Sequence, residues 1–128
     1  LSSYSIYGVD ETFTLAASAS EIISLDISIL HRNLKLFFTV TGPSGVDLNI
    51  ASGTGDPDIA AENRGGFDTV IGTPPSTWHF DTQGANYSLP ASETTAIVIT
   101  QDDTGNKLKL TFSNAGVSAV TIKIRGDY

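Results

Sequence analysis

Side-chain polarity in this chain alternates with a period of two almost from end to end. Residues 33–41 read N-L-K-L-F-F-T-V-T, which sets Leu34, Leu36, Phe38 and Val40 on one parity. Residues 107–112 read K-L-K-L-T-F and residues 119–125 read A-V-T-I-K-I-R. Successive side chains of a strand point to opposite faces, so this pattern specifies strands with one buried face and one wet face. No segment carries a 3.6-residue apolar stripe. Residues 16–23 have room for a helical turn, but Ser18, Ser20 and the β-branched residues after them oppose more.

The pattern predicts about ten strands, at residues 3–7, 11–17, 21–30, 33–41, 45–51, 67–71, 77–81, 94–101, 106–113 and 117–126. Turn chemistry separates them at 31–33, 42–45, 102–106 and 114–116, where Gly, Pro, Asn and Asp supply the required backbone angles and local hydrogen bonds. Short strands at regular spacing favour an all-β, antiparallel two-sheet sandwich, Ig-like or jelly-roll, with little or no helix. With 128 residues, a single domain is expected. The predicted core is Leu25, Ile27, Leu36, Phe38, Leu48, Ile97, Ile99, Leu108, Leu110, Ile122 and Ile124. Residues 94–128 read as a three-stranded meander placing Ile97, Ile99, Leu108, Leu110, Phe112, Val120, Ile122 and Ile124 on one inward face.

Composition narrows function by exclusion. Charged residues are 16% of the chain, against roughly 25% in an average soluble protein. Cys is absent, which removes disulfides and thiolate metal sites. Met is also absent and residue 1 is Leu, from which a processed secretory product, an excised domain or a partial chain is expected. No run approaches the ~20 apolar residues of a membrane-spanning helix. The two histidines, His31 and His79, lie in no metal or base motif, and there is no nucleophile elbow or phosphate-cradling loop. The acid pairs 56/58 and 102/103 are too close in sequence to imply the opposed carboxylates of a glycosidase. The chain therefore reads as a non-enzyme.

Charge is divided unevenly. Residues 107–128 hold four Lys or Arg and one Asp, a net of +3, while residues 1–106 carry a net of −10. Lys107, Lys109, Lys123 and Arg125 fall on the outward parity of adjacent predicted strands and are expected to form one basic face. Four cations on an acidic molecule make a thin footprint for nucleic acid, so the partners expected are copies of the same chain or other structural proteins. Residues 1–9 have strand character, with Tyr4 and Ile6 on one parity. They read either as the first edge strand of their own sandwich or as an arm exchanged with a neighbour.

Two functions follow. One is a structural subunit of an extracellular or virion assembly (a filament, a pilus-like fibre, or a capsid or tail component) joined by strand pairing and complementary charge. The alternative is a small binding module for carbohydrate or calcium. For carbohydrate, Trp78 is the candidate platform, with Asp81, Gln83 and Asn86 as hydrogen-bonding partners; a core role for Trp78 and Phe80 is the competing reading. Asn86-Tyr87-Ser88 also fits the glycosylation sequon. For Ca²⁺, Asp56, Asp58, Glu62 and Asp68, with Asn63, lie in or beside the loop at 52–66, whose spacing matches no EF-hand. No other cofactor is implied.

Overall fold

A computed structural model describes residues 8–26, 33–54, 68–100 and 107–127. They form ten strands in two antiparallel sheets, with no helix among the described residues. In chain order these are β1 (Gly8–Leu15), β2 (Ser20–Asp26), β3 (Asn33–Thr41), β4 (Val46–Thr54), β5 (Asp68–Ile71), β6 (His79–Phe80), β7 (Ala85–Leu89), β8 (Glu93–Thr100), β9 (Lys107–Ser113) and β10 (Val120–Asp127). A four-stranded sheet runs β1-β10-β3-β8, and a six-stranded sheet runs β5-β2-β9-β4, with β6 and β7 both pairing the outer side of β4.

The period-two pattern places the core where it was expected. Leu34, Leu36, Phe38 and Val40 of β3 face Ile23, Leu25, Leu48, Leu108, Leu110 and Phe112 of the other sheet, all buried. Phe112 sits at the centre, with edge-to-face contacts to Phe13 at 5.3 Å and Phe38 at 5.9 Å. Every predicted core residue within the described segments is buried; Ile27 lies outside them.

The expected C-terminal meander is corrected. β9 belongs to the six-stranded sheet, while β8 and β10 flank β3 in the four-stranded one. The eight apolar residues of these strands are all buried, but they meet across the interior from facing sheets. Alternation shows which side of a strand faces inward, not which sheet the strand joins. The connection after β9 is therefore an arch between sheets. Asn114 holds it, donating from Nδ2 to the carbonyls of Leu15, Ala16 and Ser118 and accepting the Gly116 N–H at Oδ1. Residues 16–19 form a tight turn closed by Ala19 N–H to Ala16 O, with Ser18 at positive φ. Gly42 turns the chain after β3 at φ +152°, where a Cβ would strike Val120.

β7 lies in a segment where no strand is predicted. Its sequence, A-N-Y-S-L, has no β-branched residue. Register against β4 makes it a strand, with Leu89 opposite Val46 and Tyr87 opposite Leu48.

Candidate functional site

The four predicted basic residues do not share a face. Lys107 and Lys109 stand on the outer side of the six-stranded sheet, and Lys123 and Arg125 on the outer side of the other. Lys107, expected in solvent, is 1% exposed, and its Nζ lies 3.0 Å from Oδ1 of the equally buried Asp26. The two residues are Cα partners across β2 and β9, so register brings the charges together. Lys123 and Arg125 remain exposed, and the neighbouring strand adds Lys35, which sequence reasoning passed over. Lys35 Nζ rests 5.3 Å from the Phe37 ring centroid. Among the described residues, the exposed cations of this sheet are therefore Lys35, Lys123 and Arg125, with the exposed Asp10 the Cα partner of Arg125.

Trp78 explains how an outward Lys107 becomes buried. A turn closed by Trp78 N–H to Pro75 O presents the indole to β9. Lys107 Nζ sits 4.9 Å from the Trp78 centroid, and Lys109 Nζ 5.3 Å from Phe80. The two rings meet edge to face at 6.4 Å. Gly53 permits this approach, since a Cβ there would strike the His79 carbonyl and the Phe80 ring. Asp81 continues the strap, its N–H donating to Ser52 O and its carboxylate accepting from Ser52 Oγ at 3.3 Å. Trp78 and Phe80 are thus half-buried covers over two lysines, and one face of the indole is already engaged by an ammonium group.

Neither described cavity gathers the four residues expected to hold a sugar, and Gln83 lines neither of them. Asp81 lines a cleft at the edge of the sandwich, and Asn86 lines a separate groove on the outer face of the six-stranded sheet. Trp78 borders neither. The outer groove, of about 300 Å³, is walled by Asp47, Asn49, Asn86, Ser88, Thr111 and Ser113. In it Asn49 Nδ2 donates to Asn86 Oδ1 at 2.9 Å. Of the expected calcium ligands, Asp56, Asp58 and Glu62 lie outside the described residues, as do Asn63 and His31. Asp68 opens β5 opposite Asp26, whose carboxylate already takes Lys107. Among the described residues no three His, Cys, Asp or Glu side chains are grouped to hold a metal ion.

The feature that sequence reasoning missed is the edge at β8. On one side β8 pairs with β3 over residues 93–100; among the described residues, no strand pairs with its other side. Thr94, Ala96 and Val98 point outward and are exposed, Val98 by 56%. No charge or proline interrupts residues 94–100. Beside this edge lies the second cleft, of about 270 Å³, floored by Ile50, Ile99 and Leu108 and rimmed by Ser52, Asp81 and Tyr87. Of the arm expected at residues 1–9, Gly8 and Val9 instead open β1, which starts earlier than the predicted strand at 11–17 and pairs them with Asp127 and Gly126. Tyr4 and Ile6 lie outside the described residues.

No protein-family model matches the sequence, and no curated protein matches it. Among solved structures, the chain is similar to the crystal structure of PirA, with a TM-score of 0.52 over 90% of each chain at 15% identity. At that identity, what the two chains share is a fold.

Proposed function

We propose that this chain is a non-enzymatic structural subunit of an extracellular or virion assembly, joined to its neighbours by β-strand addition at β8. The supporting observation is the edge itself. Folded proteins ordinarily blunt a free edge with lysine, proline, a bulge or a short strand. β8 is eight residues long and rich in Thr, Ile and Val, with none of these devices between residues 94 and 100. Its outward N–H and C=O groups, which no strand among the described residues pairs, would supply main-chain hydrogen bonds to an incoming strand, and Lys35, Lys123 and Arg125 would bias the approach of the acidic remainder of a neighbour.

The test is sedimentation and electron microscopy of the purified protein beside its Val98→Lys variant. Polymers or oligomers that disperse in Val98→Lys, with unchanged far-UV circular dichroism, support the reading. A protein that is monomeric at high concentration overturns it.

A saccharide-binding role draws on the outer groove. Planar carboxamides of Asn49 and Asn86, flanked by Asp47 and three hydroxyls, stand on rigid strands and offer paired donors and acceptors of the kind sugar hydroxyls require. Glycan-array binding lost in Asn49→Ala and retained in Trp78→Phe would favour this role and its location in the groove.

A further inference from the structure

We infer that the cleft between β7 and β8 is the socket for Tyr4 of a second copy, whose residues 3–7 add as a strand along β8. This rests on the assembly reading above and specifies its contact. The core is thinnest here. Ile50, Ile97 and Ile99 are 7–8% exposed, while most other buried residues of the interior are at 0–3%. β7 and β8 are joined through residues 90–92, and the cleft opens at the far ends of both strands, between Ala85 and Ile99. A strand paired to β8 directs every second side chain inward over this opening.

The opening suits an aromatic side chain with a polar tip. A sealed apolar cavity of about 150 Å³ accommodates benzene, and this cleft holds about 270 Å³ over an apolar floor. Tyr87 stands at its wall, and the exposed Asp81 carboxylate on its rim is placed to accept a phenol O–H. In residues 3–7, S-Y-S-I-Y, Tyr4 and Ile6 share a parity, so a strand added along β8 would turn both inward. The segment carries no charge, matching the uncharged edge it would pair with.

Chain geometry decides that the donor is another copy. Gly8 is level with Asp127, then Lys35, then Val98 across the four-stranded sheet. The position beyond β8 lies four strand spacings from β1, about 19 Å. Tyr4 is four residues from Gly8, and four extended residues reach about 14 Å. Its own Tyr4 therefore cannot pair beyond β8.

The chain has no cysteine, so introduced thiols report single contacts. Ser5→Cys and Ala85→Cys proteins, mixed in equal amounts and treated with a short bismaleimide, should give a covalent dimer. Ser5→Cys mixed with Val117→Cys, a distant exposed site, should not. Adding Tyr4→Ala to the Ser5→Cys protein should cut the cross-linking yield at least about tenfold, and Tyr4→Phe should retain most of it. Assembly by sedimentation without the Ser5–Ala85 cross-link overturns the socket while leaving strand addition standing. Absence of any assembly removes both. A cross-link that forms within one chain carrying both cysteines at high dilution overturns the exchange between copies.

Discussion

Lys107 shows how little a side chain's parity says about its surroundings. Its outward direction follows from Leu108 and Leu110 facing in, yet Trp78 and Asp26 convert that outward position into a buried ion pair. Removing one partner of such a pair takes the counter-ion from the other charge in a dry environment. Lys107→Ala is therefore expected to lower unfolding free energy by about 3–5 kcal/mol, and Lys107→Met, which keeps the stem, by less; urea denaturation measures both. Asn114 is a second concentrated dependency. It donates to three carbonyls, that of Leu15 buried, and accepts one N–H, tying the end of β1 to the arch after β9. Asn114→Ala should cost at least about 2 kcal/mol in the same measurement.

Among the elements, those built on strict alternation were readable and those defined by a partner were not. β3 occupies Asn33–Thr41, the bounds predicted from its L-x-L-x-F-x-V pattern. β7 turns only Ala85, Tyr87 and Leu89 inward and exists because β4 offers it a register, so no local signal marks it. Sheet membership was equally hidden, since the strongly patterned strands at 107–113 and 120–127 look alike in sequence and sit in different sheets. For the same reason, shared parity groups the two lysines of β9 with cations of β10 that lie on the opposite face. What sequence did carry was the interior of each strand. Phe112 of β9 unites rings from β1 and β3, so Phe112→Ala should destabilise by about 3–5 kcal/mol, more than a comparable truncation of half-buried Phe80. Thermal melts of the two variants decide the order.

At the scale of the whole molecule, the sheets are stitched together by long-range pairing. β1 pairs with β10, and β2 with β9, across most of the described chain. Contacts of such separation must overcome loop-closure entropy before they contribute, so refolding is expected in the millisecond-to-second range typical of β-sandwiches. Stopped-flow fluorescence of Trp78, the one tryptophan, reads that rate directly. A microsecond phase carrying the full amplitude would contradict this topology.

The place of β10 between β1 and β3 has a consequence for synthesis. Residues 120–127 are translated after every other strand described here, yet they occupy the interior of the four-stranded sheet. Until they leave the ribosome, β1 and β3 have no neighbour to bridge them, and the nascent chain must wait with apolar faces uncovered. A premature stop before residue 120 would therefore do more than trim a margin: it would divide the sheet down its middle. A stalled or truncated product is then expected to be held by a chaperone or degraded by a protease rather than released part-folded.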